Sequence, residues 1–153
     1  MIRTQQNVLY LKSELTEGRW RIYSDNIAMA RWLQTTVQGM LNAELSDTTI
    51  PCAEATFSKA GDPRYFWTEY IKSHSEDISL TWFDIGEPLL IHSQPNQIPN
   101  RRYGVCTVLI PALGTRLVRN GIEATGQSWP REREGRPFST SALAFSESWT
   151  DAV

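Results

Sequence analysis

Apolar and polar residues follow a helical repeat in one segment of this chain and a strand-like pattern in most of the rest. Between about residues 27 and 41, apolar side chains recur at spacings of three and four. Ser24, Asp25 and Asn26 precede this segment as N-cap candidates. The pattern predicts one amphipathic helix, packed through its apolar face. That face consists of Met29, Trp32, Leu33, Val37, Met40 and Leu41, and the water-facing side of Arg31, Gln34, Thr35, Gln38 and Asn42.

Short runs rich in aromatic and β-branched residues, separated by Gly, Pro, Asn and Asp, fill the remainder. A first hairpin is predicted at Thr16-Glu17-Gly18. Asn120-Gly121 is typical of a type I′ turn, because this dipeptide accepts positive φ at both positions, and Gly86-Glu87 predicts a type II′ hairpin. The charge-alternating segment 127–137 is interpreted as an irregular surface loop, with an anion-binding arginine cluster as the alternative, disfavoured by its own glutamates.

These elements predict a mainly β (α+β) fold in a single domain spanning residues 1–153. Eight or nine strands are expected to form an antiparallel sheet that is either barrel-like or a sandwich, with the helix packed on it. Cys52 and Cys106 lie far apart in apolar surroundings, which predicts two reduced, buried thiols.

Residues 64–72 fit either a strand or a helix. Asp62-Pro63 could start a helix as N-cap and first helical residue, with several rings on one helical face. The runs Tyr-Phe-Trp-Thr and Tyr-Ile favour the pleated surface of a strand. We take the strand as the prediction and keep the helix as the alternative.

Glu69 is the first candidate for chemistry in that strand. It would share a face with Tyr65, Trp67 and Ile71, where desolvation raises the pKa of a carboxyl toward the range useful for proton transfer. In the alternative, the opposite face with Phe66 and Tyr70 is buried and Glu69 is an ordinary surface acid.

His92 is the second catalytic candidate, because a histidine beside mixed polar and apolar residues can shuttle a proton near neutral pH. A satisfied structural histidine is the alternative. Six Trp, five Tyr and five Phe form a large aromatic load, and bulky strand faces can line a cavity around one small ligand. The predicted ligand-binding residues are Tyr65, Trp67, Trp82 and Tyr103.

Composition excludes several functions. The net charge of −2 offers no general attraction for nucleic acid. His74 and His92 with two distant cysteines do not make a typical metal site, and no glycine-rich phosphate loop occurs, so no cofactor is expected. No segment approaches the roughly 18 apolar residues of a membrane helix. The start lacks the apolar region of a signal peptide, which predicts a cytoplasmic location.

The first functional prediction is a domain that binds an apolar or aromatic small molecule, with Glu69, His92 or an arginine at its polar end. The alternative is an isomerase-, cyclase- or lyase-type enzyme without metal or nucleotide, in which Glu69 or His92 moves a proton. A second alternative is an accessory or interaction subunit, such as a homo-oligomer, whose exposed rings form the interface.

Overall fold

A computed structural model describes residues 6–99 and 102–151 of the chain. The first five residues belong to the segment that we predicted not to be a signal peptide, and they lie outside the described residues. The helix α1 comprises an α-helical segment (Ile27–Leu33), a π-helical segment (Gln34–Gln38) and a final α-helical turn (Gly39–Leu41). The strands are β1 (Val8–Leu11), β2 (Arg21–Ser24), β3 (Cys52–Asp62), β4 (Phe66–Ser73), β5 (Asp77–Ile85), β6 (Leu89–Ser93), β7 (Gly104–Arg119), β8 (Ile122–Glu123), β9 (Pro130–Arg133), β10 (Arg136–Ser139) and β11 (Ala142–Thr150).

Nine of the described strands form one sheet, and β9 and β10 form a second. The order in the large sheet is β1-β2-β3-β4-β5-β7-β11, and β6 and β8 also pair with β7. The predicted mainly β fold with one helix is confirmed, but its purely antiparallel form is wrong, because β2 and β3 run parallel. A parallel neighbour needs a crossover of about a dozen residues or more, and α1 lies in that crossover.

The contacts divide the chain into two compact units. The first unit contains the chain up to Ala60, Thr68–Leu80 and Leu117–Thr125. The second unit contains Gly61–Trp67, Thr81–Arg116 and the chain from Gly126 onward. The single domain expected over residues 1–153 stays a prediction.

Strand β2 contributes residues to both hydrophobic clusters of the first unit. Neighbouring residues of a strand point to opposite faces, and Ile22 and Tyr23 accordingly join different clusters. The β2 strand is therefore buried on both faces, as is typical of a strand with a parallel neighbour. One cluster contains Leu11, Tyr23, Ala55, Ile71 and Ile78, and the other contains Ile22, Ala30, Leu45 and Ile50.

The helix begins and ends as predicted but packs through a neighbouring face. Asn26 caps it, its Oδ1 accepting a hydrogen bond from the Met29 amide at 3.0 Å. Ala30 and Gln34 are fully buried, whereas Trp32, assigned to the packed face, is 59% exposed. The Gln34 side chain donates to the Asp47 carbonyl at 2.8 Å. A buried amide with a hydrogen-bond partner costs little, so the polar residue faces the core and the ring faces outward.

Gly86-Glu87 does not form the predicted hairpin. β5 and β6 both pair with the long strand β7 rather than with each other. The Gly86 amide donates to the Pro111 carbonyl at 2.8 Å, and Gly86 lacks the positive φ that a type II′ turn needs. The two strands are therefore successive segments along one edge of β7.

Segment 127–137 is not an irregular loop, because it contains β9 and the start of β10, which pair as an antiparallel hairpin. Its turn residues Glu134 and Gly135 have φ of 51° and 72°. Asn120 and Gly121, with φ of 51° and 78°, join β7 to β8 in the same way and confirm the predicted turn.

Strand β4 confirms the extended interpretation of residues 64–72, although Arg64 and Tyr65 lie in the turn before it. Both cysteines are free, as predicted, but the burial prediction is wrong, because Cys52 is only half-buried and Cys106 is exposed. Its neighbours Val105 and Thr107 are buried, so strand alternation turns Cys106 to the other face. Among residues 6–99 and 102–151, no helix is long and apolar enough to cross a membrane.

Candidate functional site

Glu69 lies in β4 within the first unit. Ile71 is buried, as the predicted face requires, and Phe66 and Tyr70 are about half exposed. Glu69 itself is half-buried, and its Oε1 lies 3.8 Å from Lys59 Nζ. The carboxylate therefore has a cationic neighbour as well as apolar ones, and its catalytic role stays a prediction.

Two of the predicted ligand-binding rings pack against rings of β11 in the second unit. Trp67 meets Phe145 edge-on, with 5.0 Å between ring centroids. Tyr103 meets Trp149 at 6.0 Å, also edge-on. Edge-to-face pairs of this kind stabilise a fold whether or not a ligand binds.

The remaining predicted residues are dispersed in the second unit. Tyr65 is exposed, and the Arg64 guanidinium lies 5.6 Å from its ring centroid. Trp82 is half-buried in β5. His92 is exposed in β6, opposite Cys106 of β7. The ligand and catalytic roles of these residues stay predictions.

A largely buried ionic cluster in the first unit was not found by sequence reasoning. Glu76 accepts hydrogen bonds from the Tyr23 hydroxyl at 2.7 Å and from the Arg119 guanidinium, which also donates to the Leu15 carbonyl. Burial raises the pKa of Glu76, but the hydrogen bonds from Arg119 and Tyr23 and the nearby charges of Arg119 and Arg21 outweigh it, so the net pKa is below its usual value. Burial, followed by the bond to Glu76, raises the pKa of Tyr23 to about 12.

A groove of about 490 Å³ lies on the sheet of the first unit. Its wall combines hydroxyl groups with the ring of Tyr70, with the ion pair of Lys72 and Asp77, whose charged atoms are 3.7 Å apart, and with the apolar side chains of Phe57, Ile71, Ile78 and Val118. Because these two charges neutralise each other, the groove presents little net charge to a ligand.

A second groove, of about 360 Å³, lies within the second unit and is here called the proline groove. It is lined by Gly86, Glu87, Pro88, Leu89, Pro111, Leu113, Pro130, Arg131, Arg136, Pro137 and Phe138. Its volume falls in the range of roughly 300–1,000 Å³ that is usual for small-molecule sites. Proline has no amide N–H and a fixed φ, so its four prolines provide a rigid wall with few donors.

The β5–β6 connection closes one side of the proline groove. A Cβ on Gly86 would lie 3.0 Å from the Pro111 ring, so glycine allows the connection to approach β7 this closely. Pro111 interrupts amide donation within β7, at the place where pairing passes from β6 to β5. The Gly86-Glu87 connection, which we predicted to be the turn of a hairpin, thus forms part of the groove wall.

The β9–β10 hairpin forms the other side of the groove and is anchored to β7. The Ser139 hydroxyl donates to the Ala112 carbonyl at 2.6 Å in a buried position. The hydroxyls of Thr115 and Ser128 are 2.6 Å apart. These bonds hold the base of the hairpin beside Pro111 and Leu113.

Neither of the two grooves was predicted from the sequence, and neither was the ionic cluster around Glu76. A signal existed only for the hairpin, where Gly135 follows Glu134 between two charged alternating runs. Within the described ranges 6–99 and 102–151, no group of three or more His, Cys, Asp or Glu residues could hold a metal ion. Comparisons with protein-family models, with curated proteins and with solved structures each find no match for this chain.

Proposed function

We propose that this protein binds a small apolar or aromatic molecule, and that the proline groove is the binding site. The observation that carries the proposal is a groove of small-molecule size with four prolines, Leu113 and Phe138 in its wall. Leu113 is 51% exposed although it belongs to a strand of the large sheet. A ligand that covers such a side chain removes apolar surface from water, at about 25 cal/mol per Å².

The test uses a neutral aromatic probe, N-phenyl-1-naphthylamine, titrated into ¹⁵N-labelled protein. We expect the largest amide shift changes at Leu89, Leu113 and Phe138, which line the groove. Leu113→Asn should weaken probe binding about tenfold, because it replaces an apolar contact by a polar group.

Leu90→Asn is the matched control. Leu90 lies in β6 beside the groove residue Leu89, is 61% exposed and does not line the groove. The control should keep probe binding within about twofold of the original protein, as expected for a surface change. Equal losses in both variants, or shift changes confined to other surfaces such as α1, would overturn the proposal.

The enzyme and interaction-subunit alternatives stay predictions. Neither Glu69 nor His92 lines the proline groove, so a proton-transfer role would need a different site. The cytoplasmic location also stays a prediction, and the two free cysteines are those expected of a reducing compartment.

A further inference from the structure

Three arginines of the hairpin lie on one of its faces. Arg131 is directly opposite Phe138, and Arg133 is directly opposite Arg136. Residues opposite each other in an antiparallel pair share a face, as do residues two apart along a strand. Glu132 is opposite Pro137 and therefore lies on the other face. The hairpin register thus separates the arginines from the acid between them in the sequence.

The arrangement places like charges side by side. Directly opposite like charges, such as those of Arg133 and Arg136, destabilise a hairpin. Arg133 lies 5.7 Å from the Phe138 ring centroid, so a cation–π contact occupies one of the three guanidinium groups. The other two, on Arg131 and Arg136, line the proline groove.

Two other arginines of the second unit have carboxylate partners. Arg64 pairs with Asp62 at 2.5 Å, and Arg102 Nε donates to Asp151 at 2.9 Å. For Arg131 and Arg136, no such ion pair occurs within the described ranges of the chain. Glu87 is the acidic residue of the groove wall, so two positive charges against one negative leave a net charge of +1.

We infer that the ligand of the proline groove is an organic anion whose apolar body packs on the prolines and Leu113 while its anionic group pairs with Arg131 and Arg136. This inference rests on the proposed function. A planar guanidinium binds the two oxygens of a carboxylate or sulfonate in parallel, and such charge-assisted hydrogen bonds are stronger than neutral ones.

The test compares two probes that share one aromatic skeleton. The anion is 1-anilinonaphthalene-8-sulfonate, and the neutral analogue is N-phenyl-1-naphthylamine. Replacing both groove arginines, as Arg131→Gln with Arg136→Gln, should weaken binding of the sulfonate about tenfold and leave binding of the neutral probe within about twofold. Raising the salt from about 20 mM to about 0.5 M should weaken sulfonate binding to the original protein but not to the double variant.

Arg133→Gln is the matched control, since it removes a positive charge from the same hairpin face and Arg133 does not itself line the groove, although it contacts the ring of Phe138, which does. It should leave both affinities within about twofold of the original. A double variant that binds the sulfonate as tightly as the original protein would overturn the anion inference while neutral-probe binding still supports the proposed function. A loss of sulfonate binding of the same size in Arg133→Gln would also overturn it, because the effect would then be one of general surface charge.

Failure of the proposed function has a different signature. In that case neither probe shifts the amides of Leu89, Leu113 and Phe138, whatever the arginine variants do. Competition adds a second readout: 2-naphthoate should displace the sulfonate, and neutral 2-naphthalenemethanol should displace it at least about tenfold less well. Equal displacement by both compounds would contradict recognition of the anionic group.

Discussion

Glu76 connects three separate segments through a single carboxylate. It accepts from Tyr23 of β2 and from Arg119 at the end of β7, and Arg119 in turn holds the carbonyl of Leu15. The Glu76 side chain is only 10% exposed. A largely buried carboxylate that accepts from two donors rigidifies its surroundings, and removing it leaves Arg119 without its counter-charge.

Glu76→Gln is expected to lower the free energy of unfolding by roughly 2–3 kcal/mol. A fully buried ion pair costs about 3–5 kcal/mol to break, and the partial exposure of Arg119 reduces the figure here. Urea unfolding at neutral pH measures the loss. Glu44→Gln is the control, because Glu44 pairs with Lys12 at the surface, with its side chain 57% exposed, and its loss should be far smaller. Equal losses of stability in the two variants would show that the Glu76 ion pair stabilises the fold no more than a surface ion pair does.

The same carboxylate predicts a pH dependence. Because its pKa is lower in the folded than in the unfolded chain, Glu76 contributes stability above its ordinary pKa of 4.5, and this contribution is lost as the pH falls through the lowered folded value. The stability difference between the original protein and Glu76→Gln should therefore shrink as the pH is lowered below 4.5. Urea unfolding across a pH series checks this, and a difference that grows toward acid pH would contradict it.

Gly114 permits a close contact between β7 and an aromatic ring. A Cβ at this position would lie 2.2 Å from Phe83 Cε2, so alanine forces the ring to move. Gly114→Ala should cost about 1–3 kcal/mol, the usual range for overpacking. Gly126→Ala is the control, because nothing lies within 4 Å of its added Cβ and its φ is not positive. Thermal unfolding of both variants measures the difference, and equal melting temperatures would contradict the contact.

At the scale of elements, α1 shows that the most apolar face of a helix is not always the packed one. Ala30 is small enough for close approach to β2, and Gln34 carries its own hydrogen-bond partners into the buried face. Trp32 remains outside. Periodicity locates the helix, but it does not decide between two adjacent faces when one offers a satisfied amide and a small residue.

Because α1 packs through Ala30 and not through Trp32, substitutions at these two positions should differ in their effect on stability. Ala30→Leu should cost about 1–3 kcal/mol, since it forces extra volume into the cluster with Ile22. Trp32→Gln should change stability by no more than about 0.5 kcal/mol, as is usual for exposed positions. Chemical denaturation of both variants measures this. A larger loss in Trp32→Gln than in Ala30→Leu would show that the apolar face is packed after all.

At the scale of the whole molecule, local signals predicted the turns that depend on them alone. Asn120-Gly121 needs positive φ at two residues and forms the expected turn. Asn26 caps α1 where a side-chain acceptor was expected. The strand at Glu69 followed from the aromatic residues around it. These features depend on a few neighbouring residues, which the sequence displays directly.

Features that depend on distant strands could not be predicted. Gly86-Glu87 has the residues of a tight turn, but β7 is long enough to pair with both β5 and β6, so no hairpin forms. The proline groove follows from that outcome, because Pro111 lies where the two pairings meet. The parallel β2–β3 pair depends on how the crossover that contains α1 is placed, which no local pattern of residues records.

The β9–β10 hairpin should be less protected in hydrogen exchange than strand β4. Six of its eight strand residues are exposed, and it belongs to neither hydrophobic cluster. A two-stranded sheet alone is marginally stable in water. Mass spectrometry should therefore show faster exchange in residues 130–139 than in 66–73, whose strand contributes Ile71 to a core cluster.

Ligand binding should slow hydrogen exchange in the β9–β10 hairpin if the proline groove is the binding site. We assume that the ligand binds the closed hairpin and leaves when the hairpin opens. At a ligand concentration of about ten times the dissociation constant, the open form should then be about tenfold less populated, and amide exchange in the hairpin should slow by about the same factor. Exchange in 66–73 should not change, because these residues do not line the groove. The naphthalene sulfonate is the probe, and the Arg131→Gln, Arg136→Gln variant at the same concentration is the control. Equal slowing in both proteins would mean that protection arises without the arginines, which contradicts their role in holding the anion.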